Sequence, residues 1–109
     1  MKTTSLGLDD IYDLAKKTLL FNGCDEENAN ILSDTIMRAE RDGSLSHGLF
    51  RLPAYVASLK SKKVNGKARP ALQMIAPSVI KVLGNSAFAP MVLSVGLPAV
   101  IELAKKNGV

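Results

Sequence analysis

Apolar residues recur along the first part of this chain at helical spacing. Leu8, Ile11, Tyr12, Ala15 and Leu19 share one face over residues 8–21, the i, i+3, i+4, i+7 pattern of an amphipathic helix. Asp9 and Asp10 suit its positive N-terminal end, and Asn22-Gly23 is a stop signal. A second stripe, Ala29, Leu32, Ile36 and Ala39, predicts a helix from about Asp25 to Arg41. Asp25 is its expected N-cap, Glu26 and Glu27 fill its first turn, and Gly43 ends it. Two helices joined by so short a turn pack as an antiparallel hairpin.

From Leu49 to Ser61 the pattern is helical again, but Pro53 removes an amide donor inside it. A short turn ending near Leu52, then a helix starting at Pro53, resolves the conflict. Tyr55, Val56 and Leu59 are then expected to face the core. Asn65-Gly66 signals a turn. Between Ala71 and Leu83, two apolar runs separated by Pro77 predict two strands. Residues 86–107 return to helix, with Lys105 and Lys106 in the last turn and Gly108 as cap. Gly96 and Pro98 are expected to kink that helix. There is no internal repeat and no low-complexity segment.

The order predicts an α+β chain: a helical hairpin and a third helix, then two short strands and a helix. At 109 residues it is at most one small domain. Two strands with nothing further to pair with make a poor sheet. Val109 follows directly on a helix cap, where a connection into another strand is usual. Both features lead us to expect a piece of a larger protein.

A hydrophobic content of 47% argues for a packed core. The net charge of +4 is local, with Lys60, Lys62, Lys63, Lys67 and Arg69 in one short run. Such a run reads as a solvated face, the alternative being a phosphate site. No nucleic-acid-binding motif accompanies it. The single cysteine, Cys24, excludes an internal disulfide. With one histidine beside it, no structural metal is expected. No apolar stretch reaches the roughly 20 residues of a membrane span. Residues 1–22 lack the order of a signal peptide, so a cytoplasmic setting is expected.

The candidate chemistry lies in the turn Asp42-Gly43-Ser44-Leu45-Ser46-His47-Gly48. His47 is the only histidine, and imidazole is the default proton donor or acceptor near neutrality. Gly43 and Gly48 give the turn the freedom to present it. The plain alternative is a surface histidine with no role.

These residues carry a family likeness. Arg38-Ala39-Glu40-Arg41-Asp42-Gly43, Ser46-His47-Gly48, Arg51-Leu52, Tyr55, Leu59, Val64-Asn65-Gly66-Lys67-Ala68 and Pro70 resemble the N-terminal part of the malate/L-lactate dehydrogenase family. These are NAD(P)-dependent oxidoreductases without a Rossmann fold. Phe50, the run from Pro53 to Ser61, and Ala87-Phe88-Ala89-Pro90 are most similar to its cyclic imino acid branch. That branch comprises the delta-1-piperideine-2-carboxylate and delta-1-pyrroline-2-carboxylate reductases. Gly84-Asn85-Ser86, in place of an Asp-Gly turn, and Pro98 depart from the pattern.

The resemblance implies a fragment of a larger two-domain α/β oxidoreductase. Residues 1–70 would begin its substrate and dimerisation domain, and residues 71–109 would enter its cofactor-binding domain. NADPH or NADH would be the cofactor, a small carboxylate the substrate and a homodimer the assembly. His47 would protonate the substrate and Ser46 would orient or relay to the imidazole, helped by a carboxylate elsewhere in relatives. Arg51 would bind the substrate carboxylate in two-point geometry. No cofactor-binding residue is assigned.

Each role has an alternative. Ser46 could cap the following helix, Arg51 could form a surface ion pair, and Tyr55 could be core packing. Asp42 is expected to shape the turn. A malate/L-lactate-type 2-hydroxyacid dehydrogenase is the alternative activity. A small non-catalytic helical interaction module is the alternative from another class.

Overall fold

The computed structural model describes residues 6–108. Residues 1–5 and Val109, and with them the readings of the chain's first residues and of its end, lie outside that range. Helix α1 spans Leu8–Phe21 and α2 spans Glu26–Arg41, which gives the expected hairpin. Asp25 caps α2, its side chain accepting from the Asn28 N–H at 3.0 Å. Ile11, Ala15 and Leu19 of α1 meet Ala29, Leu32 and Ile36 of α2 in the core. The stripe is narrower than the sequence pattern suggests. Leu8 is exposed and Ala39 half-buried, because each lies at the margin of the contact.

The chain next makes two 3₁₀ turns, Leu45–His47 and Leu49–Arg51, and enters α3, Leu52–Lys60. Pro53 is thus the second helical residue, not the first. Either position tolerates its missing amide proton. Leu52 and Leu59 join the core, with Tyr55 packed against it. Val56 is only half-buried and lines a surface groove with Leu14, Thr18 and Leu49.

The Asn65-Gly66 turn seats against the α1–α2 connection, where the Asp25 N–H donates to the Gly66 carbonyl at 3.0 Å. A Cβ on Gly66 would lie 2.8 Å from the Gly23 carbonyl oxygen, so only glycine fits there. Strands β1 (Ala71–Ala76) and β2 (Val79–Leu83) form an antiparallel hairpin, with a register irregularity between Met74 and Ala76. Helix α4, Ala89–Asn107, packs on β2 and α2.

It starts three residues later than the pattern predicts. Asn85 and Ser86 have φ of 54° and 64°, a left-handed conformation that no helix can continue. The helix is continuous through Gly96 and Pro98. The architecture is the expected α+β arrangement. The hairpin and α4 are tied to the rest by the Asn65 N–H donating to the Ser86 carbonyl at 2.8 Å and by Phe88 in the core.

Candidate active site

The site is built on the short run between α2 and α3. Gly43, at φ 78°, turns the chain out of α2 in a conformation that suits glycine. The Ser44 N–H then donates to the Ala39 carbonyl at 2.8 Å, and the two 3₁₀ turns follow. This places Ser46, His47 and Arg51 on one compact stretch, all three exposed.

Ser46 links the other two. Its hydroxyl lies 3.0 Å from His47 Nδ1. Its carbonyl accepts a hydrogen bond from Arg51 Nε at 3.1 Å. That distance suits a hydrogen bond in either sense, the hydroxyl donating to a bare Nδ1 or accepting from a protonated one, and either leaves Nε2 unengaged by Ser46. The Ser46 hydroxyl is engaged with His47, and the cap position of the following turn is held by Gly48. Ion pairs among the described residues involve Lys16, Arg38, Arg41, Arg69 and Lys105, and not Arg51. Its Nε is engaged by Ser46, which leaves the outer edge of the guanidinium for two-point binding of a carboxylate.

The neighbouring groups are otherwise occupied. Asp42 is held by Arg41, Nε to Oδ1 at 3.0 Å, and that bond keeps its carboxyl below the ordinary range. Tyr55 packs edge-on against Phe88, ring centroids 5.1 Å apart at 69°. Burial pushes its phenol up, opposed by the charge of Arg51. Cys24 is buried, and burial followed by the charge of Asp25 pushes its thiol up to about 11. It is a poor nucleophile at neutral pH.

In the basic run Lys60, Lys62, Lys63 and Lys67 are exposed. Arg69 differs, pairing with Asp25 at 2.8 Å and Glu27 at 3.0 Å. It is a staple on the start of α2, which the sequence reading did not foresee.

No group of three metal-ligating side chains occurs among the described residues. No described helix is long and apolar enough to cross a membrane. The eight glycines are spread singly, so the chain offers no glycine-rich cradle for a dinucleotide's phosphates. A cleft of about 800 Å³ lies between α2 and α4, lined by Tyr12, Asn30, Asp34, Arg38 and Leu97 among others. Ser46, His47 and Arg51 do not line it. They stand on exposed surface.

Sequence reasoning quoted Glu40 without giving it a role. Its carboxylate crosses the bend and accepts from the Leu49 N–H at 2.8 Å. The available signal was its position, since an acidic residue in the last turn of a helix opposes the helix dipole.

The chain as a whole has known relatives. The chain belongs to the malate/L-lactate dehydrogenase family, whose model matches residues 6–109. It is 41% identical over 104 residues to the Delta(1)-pyrroline-2-carboxylate reductase of Ancylobacter novellus, covering 95% of this chain and 30% of that protein. Among solved structures it resembles the delta1-piperideine-2-carboxylate reductase of Pseudomonas syringae pvar. tomato. That match has a TM-score of 0.88 at 32% identity, over 95% of this chain and 31% of the other. The malate dehydrogenase of Entamoeba histolytica also gives 0.88, at 30% identity over 97% and 30%. The chain thus spans about a third of the length of these relatives.

Proposed function

We propose that this chain forms the N-terminal part of an NAD(P)H-dependent oxidoreductase. It would reduce a cyclic imino acid, delta-1-pyrroline-2-carboxylate or delta-1-piperideine-2-carboxylate, to the L-amino acid. The observation that carries this reading is the joining of His47 and Arg51 through Ser46 at 3.0 and 3.1 Å. A proton donor and a carboxylate binder are thereby held together on two consecutive 3₁₀ turns.

The bound nicotinamide would supply a hydride to the carbon of the C=N bond. The residues of this chain do the rest. Arg51 binds the substrate carboxylate and so fixes the ring. His47, as the imidazolium, gives its Nε2 proton to the ring nitrogen as that atom gains electron density and is left as the neutral imidazole. The Ser46 hydroxyl accepts from Nδ1–H and so holds the ring in place. Carbon gains the hydride, nitrogen gains the proton, and the double bond becomes a single bond.

On the same reading residues 1–70 open the substrate and dimerisation domain and residues 71–109 enter the cofactor domain. The whole protein is then a cytoplasmic homodimer. Either NADPH or NADH serves the chemistry. The likeness to a malate dehydrogenase at equal TM-score favours one second reading, reduction of a 2-oxoacid, in which oxygen receives the proton.

The test is oxidation of NADPH and NADH by the full-length protein with each cyclic imine, with pyruvate and with oxaloacetate. We expect turnover of the imines. Turnover of the 2-oxoacids alone would transfer the assignment to the dehydrogenase. His47→Ala should lower kcat by about a hundredfold or more. Arg51→Ala should chiefly raise KM. Full activity in both variants would refute the site.

A further inference from the structure

Glu40 lies one residue before the end of α2 at Arg41, where its charge opposes the helix dipole. The helix itself therefore does not explain it. Its carboxylate leaves the helix and satisfies the N–H of Leu49 at 2.8 Å, the first residue of the second 3₁₀ turn. Donors at the start of a turn lack a partner within it, and a charged acceptor makes the stronger bond.

The same carboxylate lies flat on Gly48, which is buried. A Cβ built on Gly48 would sit 2.6 Å from Glu40 Cδ and 2.8 Å from Cγ. A side chain at Gly48 would therefore displace the Glu40 carboxylate.

We propose that Glu40 is a positioning residue, clamping the backbone at Gly48 and Leu49 and thereby fixing His47 relative to Arg51. The clamp grips between them: Ser46 and His47 lie just before Gly48, and Arg51 closes the turn that Leu49 opens. The inference rests on the roles proposed above for His47 and Arg51. A displacement of about 1 Å at a reacting group can cost a hundredfold in rate. A bond that sets the separation of proton donor and carboxylate binder is therefore kinetically visible.

The experiment uses the full-length enzyme with delta-1-pyrroline-2-carboxylate and NADPH or NADH, whichever it accepts. Variants are Glu40→Ala, Glu40→Gln, Gly48→Ala, the Glu40→Ala/Gly48→Ala pair, and His47→Ala as control. Glu40→Ala should lower kcat about tenfold to a hundredfold, with the smaller change in KM. Glu40→Gln keeps an oxygen acceptor for Leu49 and should restore most of the rate. Gly48→Ala should lower kcat in the parent but cost little beside Glu40→Ala, since the clashing carboxylate is gone.

The clamp is overturned if Glu40→Ala turns over like the parent, or if Glu40→Gln is as slow as Glu40→Ala. An equal cost of Gly48→Ala in both backgrounds overturns it too. Should Glu40→Ala fold poorly, Glu40→Gln and Gly48→Ala decide. If His47→Ala keeps full turnover, the site reading fails first, and the clamp's role with it. An inactive His47→Ala beside a fully active Glu40→Ala removes the clamp alone.

Discussion

Asp25 holds both the start of α2 and the loop that returns to it. One carboxylate oxygen accepts from the Asn28 backbone and side chain at 3.0 and 2.9 Å, and the other faces Arg69 at 2.8 Å. Burial works to raise its pKa, but the Asn28 and Arg69 bonds outweigh it and hold the group below its ordinary 3.8. The folded-state value is therefore depressed. The stabilisation is complete above the ordinary carboxylate range and is lost as pH falls through the lower folded value. Asp25→Ala should cost about 1–2 kcal/mol near neutral pH. The gap from the parent in chemical denaturation should stay level down to about pH 5 and narrow below about pH 4. A gap of the same size at about pH 3 would show that the carboxylate's charge is not what matters. The N-cap role was legible in the sequence because it depends on neighbours. The Arg69 partnership was not, since the two residues are far apart along the chain and meet only once the Asn65-Gly66 turn seats. Ser46, His47 and Arg51 were legible together because they lie within six consecutive residues, on two adjoining 3₁₀ turns. The role of Glu40 required the bend itself, which returns Gly48 and Leu49 onto the end of α2.

Gly96 has a packing role that the sequence pattern does not show. The pattern predicts only a kink in α4 there, together with Pro98. In the fold it faces β2, where a Cβ would lie 2.9 Å from Val82 Cγ2. The glycine lets helix and strand approach closely. Gly96→Val adds a branched side chain where there is no room, and should destabilise the packing by about 1–3 kcal/mol. A lowered midpoint in denaturation of the full-length protein would show this. An unchanged or raised midpoint would mean that helix propensity, which favours any replacement of glycine, outweighs the contact. The four helices and two strands were legible because amphipathic spacing, caps and proline positions act locally. The start of α4 was not, because the left-handed Asn85 and Ser86 are fixed by contacts from outside the segment. The Asn85 side chain donates to the Arg69 carbonyl at 2.9 Å, and the Ser86 carbonyl accepts from Asn65. Val56 was misassigned for a related reason. Helical spacing gives the apolar face of α3, but the angle at which it meets α1 decides which side of that face is covered.

The chain has a radius of gyration of 15.9 Å and extends 54 × 30 × 20 Å, whereas a compact domain of this length has about 13 Å. β1, β2 and α4 form a limb that joins the helical hairpin through α2 and α4. Its apolar side chains are open to solvent: Met74 is 62% exposed, Ile75 56% and Leu93 55%, with Leu72, Val79, Leu97 and Ile101 close behind. Leu72 and Met74 lie on one face of the hairpin, and Val79 and Leu83, at the alternate positions of β2, lie on the other, so both faces carry exposed apolar side chains. Exposed apolar surface on this scale is characteristic of an interface and costs solubility when bare. A two-stranded hairpin is also marginal without further support. The 109-residue chain produced alone should therefore bind a hydrophobic dye and self-associate in light scattering. The full-length protein should do neither, and should elute as a homodimer. The helical hairpin has its own buried core and should keep its far-ultraviolet signal in the isolated chain, while dye binding reports on the limb. A monodisperse, dye-silent monomer with one cooperative melt would mean that the limb is finished surface. That result would remove the argument for a covering domain and favour the alternative of a small non-catalytic helical module.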